Sequence, residues 1–515
     1  MAAHRRPRGA HNGFHLCHLH LFLRHVVAEI AAWLLIVCSY GMFRSMNVMD
    51  TNKIDLRETQ IEGLSRSLCE HVAMLRYEDL PVDVVHNVKL LLLDTLGIIA
   101  AGRTAPGIDI LHARLQRWEK TGTATALKDK LRLSPPNAAL ANGAAAHALD
   151  FDDIHDEARV HTSCVLVPAL LASAEDLGGV AGRDFIVAMA VGIEVNARLG
   201  LACFNCLGHG WHPTMVMGVM AAAVAVARLL SLDVDRMLGA LGFAHHLASG
   251  SAQSILDGAL TKRIGPGFAA HAAVMAAFLS SDGLSGPSRP LEGKAGLFLL
   301  QERGEVLPDR LLQDFGRHWE AMRYGFKAFP CCRCCHSTID VGLRLHQDGI
   351  RPEQVESVEI AQPSVNFRTV GLPYDASRDS VVHAQFNAAY CFARALQDGR
   401  VDLHTFQRPQ ITDASIAALT RRITVVMDPA MDPIAMGPVR ITLRLRDGRN
   451  VVREDSVLLG GPDAPLPDSA LIEKFRSCLA IGAGADDAVA DRLATLVMTL
   501  EEQKDVAEIV AAFPR

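Results

Sequence analysis

Asp150, Asp152 and Asp153 stand together at the end of an Ala-rich stretch, with His155 and His161 close behind. Carboxylates at a helix C-terminus oppose the macrodipole, so stability alone does not favour them there. Beside histidine they suit proton transfer near neutral pH. A cation-binding loop is a rival reading, but these acids lack the spacing and central Gly of an EF-hand. The purely structural alternative is a solvated loop between helices. His212, in Gly210-Trp211-His212-Pro213-Thr214, precedes an apolar helix whose N-terminus favours an anion beside it; otherwise it is a satisfied capping residue. Lys262 and Arg263 interrupt apolar sequence in a Gly-rich turn (260–267). A buried lysine is costly unless paired, so Lys262 either meets an acidic ligand or snorkels to the surface. Lys327 opens a segment in which Cys331, Cys332, Cys334, Cys335 and His336 crowd together. That segment, with Cys203 and Cys206 as a distant pair, suggests zinc. Adjacent cysteines point apart, however, so they cannot all bind one ion, and no metal is expected. Nor is there the spaced thiolate framework of an iron–sulfur cluster. Tyr390 lies on an apolar helix and, taken alone, reads as core.

These side chains must be positioned by two kinds of element. Residues from about 60 to 320 read as helix. Val88 to Ala101 is apolar almost all round and stops at Gly102; Thr214 to Leu230 is similar, with Pro213 at its start. Beyond about 320 the pattern alternates. Val439, Ile441, Leu443 and Leu445 share one face, and Asp447-Gly448 then predicts a hairpin into Val451 and Val452. Val355 to Ile360 and Arg422 to Met427 alternate too. From Asp468 the helical pattern returns. The expected fold is mainly α, a large all-helical domain plus a smaller α/β domain. The expected boundaries are an extension over 1–52, helical domain over 53–320, α/β domain over 321–460, and helices over 461–515 returning to the helical domain.

Composition limits the partners. The chain has 515 residues, enough for about two domains, and half are hydrophobic. Its 51 basic and 57 acidic residues give a net charge of −6. With no basic block to track phosphates, nucleic acid is not an expected partner. Twelve cysteines, several in apolar runs, suit a reduced, cytoplasmic protein. Residues 25–43 are mostly apolar and follow Arg5, Arg6 and Arg8, which is the pattern of an anchor, but Glu29 argues against a membrane span. We read 1–52 as lying outside the fold, with Met46 or Met49 as an alternative start. A membrane-anchored receptor or a zinc-binding protein is the non-enzymatic alternative.

Six segments occur together in order: LLLDTLGIIAAG (91–102), NGAAAHALDFDD (142–153), GWHPT (210–214), LTKRIGPGFAAH (260–271), KAFPCCRCCH (327–336) and QFNAAY (385–390). Over roughly 60–500 this order resembles the MmgE/PrpD family. The resemblance implies a helical domain with an α/β lid, a cleft between them, a homodimer, and catalysis without metal or organic cofactor. It implies a lyase acting on a small polycarboxylate. Asp150, His161, His212, Lys262, Lys327 and Tyr390 match its catalytic positions. Lys262, Lys327, His212 and His336 match positions that hold substrate. The cations would neutralise carboxylates, His161 oriented by Asp150 would move the proton, and Tyr390 would donate a proton or bind a carboxylate. Ile154 and Cys332 stand where members similar to cis-aconitate decarboxylase carry Thr and His. The expectation therefore leans to dehydration of the 2-methylcitrate type, with cis-aconitate decarboxylation or iminodisuccinate epimerisation as alternatives.

Overall fold

The helices Val82–Gly102, Gly182–Ala202 and Pro213–Leu229 carry too few polar residues to have a wet face, and nearly all their residues are buried. The computed structural model describes residues 61–515. The extension expected over 1–52, and any anchor there, lies outside the described residues. Val82–Gly102, Gly182–Ala202 and Thr261–Ser281 are each long and apolar enough to cross a membrane. The first two bury 89% and 100% of their apolar windows within the protein itself.

Among the described residues the fold is mainly α, with one four-stranded mixed sheet and two two-stranded ones. One hydrophobic cluster runs from Leu68 to Phe326 and then takes in Leu471 to Phe513; a second runs from Phe329 to Leu445. The helix Asp468–Ala483 thus belongs with the first cluster, and Phe475 lies against Gly97 of Val82–Gly102. The sheet orders its strands Ile423–Met427, Val355–Gln362, Val439–Leu445, Asn450–Asp455. The first pair is parallel and the other two are antiparallel. Alternation along Val439–Leu445 buries Val439, Ile441, Leu443 and Leu445, and Gly448 makes the hairpin turn at φ 89°. The helices His336–Gln347 and Ala388–Asp398 pack together beside this sheet.

Two local features set the geometry of the site. The helices Pro135–His147 and Thr261–Ser281 touch through glycines: a Cβ on Gly143 would sit 2.8 Å from Gly267 Cα, and one on Gly267 would sit 2.4 Å from Leu140 O. Any side chain at either position would push the helices apart. A two-residue strand, Ile154–His155, pairs antiparallel with Tyr324–Gly325. It clips the acidic loop to the segment that leads to Lys327. Thr162 Oγ1 and Tyr324 Oη reinforce the clip at 2.5 Å, and His155 Nε2 lies 3.0 Å from Glu320 Oε2.

Candidate active site

Asp150 follows the Pro135–His147 helix in left-handed backbone, φ 52°. A short acid tolerates that conformation better than most side chains. The reversal aims its carboxylate at two lysines. Lys262, in the first turn of Thr261–Ser281, places Nζ 2.6 Å from Asp150 Oδ1. Lys327 places Nζ 3.2 Å from the same oxygen and donates to Asp150 O at 2.9 Å. All three side chains are buried. Burial alone would raise the Asp150 carboxyl, but Lys262 and then Lys327 more than reverse this and hold it well below the usual range. Burial likewise works against the Lys327 ammonium, yet Asp150 and Asp152 keep it raised. Lys262 Nζ also lies 4.8 Å from the centre of the Phe386 ring.

Three imidazoles gather beside this pair. The rings of His147 and His161 are 5.2 Å apart, and those of His147 and His212 are 6.0 Å apart. His147 Nδ1 donates to Asp152 Oδ2 at 2.7 Å. His161 Nδ1 donates to Asp153 O at 2.7 Å, with Asp152 Oδ2 further off at 3.5 Å. That bond assigns the proton to Nδ1 and leaves Nε2 as the basic nitrogen of His161. Burial drives all three imidazoles toward the neutral form; His161 is pushed down to about 3. Asp152 is pushed up by burial but held ionised by its imidazole neighbours and Lys327. Asp153 turns the other way. Burial, then the charges of Asp152 and Asp94, raise it to about 7, although it accepts the Ser163 N–H at 3.2 Å.

A small cavity of about 70 Å³ joins these groups. Asp150, His161, His212, Lys262 and Lys327 all line it, as do Ile154 and Cys332. So do Arg159 and Phe386, which the motif reading passed over. Arg159 donates through Nη2 to Ile434 O at 2.8 Å, while its buried Nε has no protein partner. A basic electrode of two lysines and an arginine thus faces a neutral base, an arrangement suited to drawing a proton from carbon next to a carboxylate.

The expected partnership between Asp150 and His161 is corrected by this geometry. Asp150 serves the lysines, and Asp152 and the Asp153 carbonyl hold the histidines. Burial outweighs the pull of Asp152 on His161, which stays neutral. Tyr390 does not line the cavity. It sits in the first turn of Ala388–Asp398, fully buried, and donates to Thr405 O at 2.5 Å. Phe386 is the residue of that motif that lines the cavity. His336 does not line it either; Arg333 Nη1 donates to His336 Nδ1 at 3.3 Å, and Arg333 reaches the cavity instead. Arg333 is itself gripped by Asp156, both contacts at 2.9 Å.

Asp152 was read only as one of a group of acids. His147 lay within the quoted motif but was given no role. Nor was Lys474, which comes from the helix Asp468–Ala483. Its Nζ lies 2.9 Å from Asp94 Oδ1 and donates to Phe151 O at 2.9 Å and Lys327 O at 3.1 Å. The available signal was a single acid and a single cation in apolar stretches. Among the described residues, only His147, Asp152 and His161 bring three potential metal-ligand atoms within 4.8 Å of one another. The cysteines do not converge in that way. Cys332 and Cys334 face the cavity, while the free thiol of Cys331 lies close to Cys335, Cys391 and His336.

Two family models match most of the chain. Residues 66–306 match the MmgE/PrpD N-terminal domain, and residues 329–500 match the MmgE/PrpD C-terminal domain. The chain is 29% identical over 471 residues to the cis-aconitate decarboxylase-like protein oryM of Aspergillus oryzae, covering 87% of this chain and 97% of that protein. It is 26% identical over 483 residues to a cis-aconitate decarboxylase of Aspergillus terreus, covering 87% and 95%. It is 27% identical over 433 residues to the cis-aconitate decarboxylase of Homo sapiens, covering 81% and 88%.

Proposed function

The chain belongs to the MmgE/PrpD family, and on that premise we propose that it is a lyase acting on a small polycarboxylate. The observation that carries the reading is the double contact of Lys262 and Lys327 with Asp150 beside a neutral His161. Asp150 offsets the burial of two ammonium groups. A substrate carboxylate would share those cations with it, and Arg159 offers a further contact. Charge that builds on the substrate carboxylate as a carbanion forms is then stabilised in a site that excludes water. His161 Nε2 is free to take the proton, or to return one after a bond to carbon breaks.

The names of the relatives favour cis-aconitate as the substrate and loss of carbon dioxide as the reaction. A second reading, dehydration of a 2-methylcitrate-like substrate, is favoured by the cavity wall. Ile154 and Cys332 line it, where the decarboxylase-like pattern would supply Thr and His. Both reactions pass through a carbanion next to a carboxylate, which the same cations would stabilise. The cavity has room for about five water molecules, less than a tricarboxylate needs, so substrate entry would require the α/β layer to move from the helices.

The test is to incubate purified protein with cis-aconitate, 2-methylcitrate, citrate and iminodisuccinate in parallel. Release of carbon dioxide from cis-aconitate supports the first reading. Loss of water from 2-methylcitrate supports the second. No turnover of any of the four, or turnover undiminished in Lys262→Met and His161→Gln variants, would overturn the proposed chemistry.

A further inference from the structure

Arg263 is among the largest fully buried side chains, 2% exposed, yet most of its hydrogen-bonding capacity is unused. Nη1 donates to Pro106 O at 3.1 Å, while Nε and Nη2 have no protein partner. Those two nitrogens form one edge of the guanidinium fork. Their N–H bonds run nearly parallel, at the spacing of the two oxygens of a carboxylate. A guanidinium remains charged when buried, so this edge calls for an anion.

Arg263 lines a second cavity, about 630 Å³, separate from the one around Asp150. Much of its wall is apolar, from Leu149, Leu260, Leu403, Phe406, Ile411 and Ile481. Its one acidic lining residue, Asp379, is already paired with Arg408, whose Nε lies 2.5 Å from Asp379 Oδ1. Asp150 is engaged by Lys262 and Lys327. The cavity therefore offers one uncompensated cation and a large apolar body, within the size range of small-molecule sites.

We propose that this cavity is a second ligand site, which takes a monocarboxylate with an apolar chain, its carboxylate on the Nε–Nη2 edge of Arg263. A polycarboxylate would bring charges that only one cation could meet and would leave the apolar wall unfilled. The two cavities share a partition. Leu149 precedes Asp150, and Gln385 Nε2 donates to Leu149 O at 2.7 Å and to Pro330 O at 3.0 Å. Arg263 directly follows Lys262. An occupant would thus stiffen the backbone that carries the lysine pair.

Titration calorimetry on the full-length protein with octanoate, acetate, octanol and octyl phosphate tests this without any assay of turnover. Octanoate is expected to bind at one site per chain, with acetate and octanol weaker by roughly tenfold or more. Octyl phosphate binding as tightly as octanoate would show an anion site without preference for carboxylate, and would overturn that part of the proposal. Arg263→Gln should weaken octanoate by roughly tenfold or more. Leu403→Trp, which fills the cavity and leaves the guanidinium in place, should do the same. Octanoate binding no tighter than acetate and octanol, or full affinity in Leu403→Trp, overturns the site even if Arg263→Gln fails to fold.

Discussion

Lys262 and Asp150 form a buried ion pair, Nζ 2.6 Å from Oδ1, between residues 112 positions apart in the chain. The pair exists because two helices cross at a glycine contact and because Asp150 takes a left-handed backbone conformation. Removing Lys262 would leave Asp150 with Lys327 as its close cation, whereas removing Asp150 would leave two ammonium groups buried without it. Lys262→Met is expected to lower kcat/KM by about a hundredfold or more, and to cost about 1–3 kcal/mol of stability. Asp150→Asn, which takes the counter-charge from both lysines, should cost about 3–5 kcal/mol, and adding Lys262→Met to it should restore part of the stability and none of the activity. Steady-state kinetics with thermal unfolding measure both, and strictly additive stability losses would refute the coupling.

Gly267→Ala tests how the helices set that distance. Its Cβ would meet Leu140 O at 2.4 Å, a backbone atom that cannot rotate away. We expect a loss of about 1–3 kcal/mol from overpacking. Activity should fall as well, because the shifted helix carries Lys262. Normal stability in urea unfolding would show that the contact relaxes freely.

The pH dependence follows from opposite shifts. His161 is depressed to about 3, against about 6.5 for free histidine. Its contribution to stability is fully present above about 6.5 and is lost as pH falls toward 3. Asp153 is raised from 3.8 to about 7, so its contribution is present at low pH and lost as pH rises through 7. The kcat/KM profile should accordingly show no acid limb near 6.5, since His161 is already neutral there. A limb at that pH, abolished in His161→Gln, would contradict the assignment.

Tyr390→Phe separates the cavity from the core. The hydroxyl donates to Thr405 O and lies 3.4 Å from Arg394 Nε, and it does not line the cavity. Its loss should cost about 1–3 kcal/mol, because the Thr405 carbonyl is left without that donor. Turnover at a temperature where the variant is folded should match the parent chain. A drop of tenfold or more in kcat would return Tyr390 to the reaction.

Much of this protein was legible in its sequence, for identifiable reasons. Helices apolar on every side must be interior, so the helical core could be read from Val82–Gly102 and Pro213–Leu229. Period-two alternation and Asp-Gly marked the hairpin that follows Val439–Leu445. Five residues singled out by type, Asp150, His161, His212, Lys262 and Lys327, line one cavity. An isolated lysine or histidine in apolar sequence needs a partner, and that need is visible without coordinates.

Which partner it takes was decided only by the tertiary structure. Asp150, Asp152 and Asp153 are near neighbours of one residue type, yet one binds lysines, one holds imidazoles and one is pushed toward its neutral form. A single positive φ separates their directions. Phe386 and Tyr390 share a short motif, but the chain turns at Asn387 before the helix begins, so only the first reaches the cavity. Lys474 lies 147 residues beyond Lys327, whose carbonyl it holds. Sequence patterns report the local need for burial or a counter-charge. Pairings across such separations depend on helix crossing distances and backbone reversals, which exist only once the chain has packed.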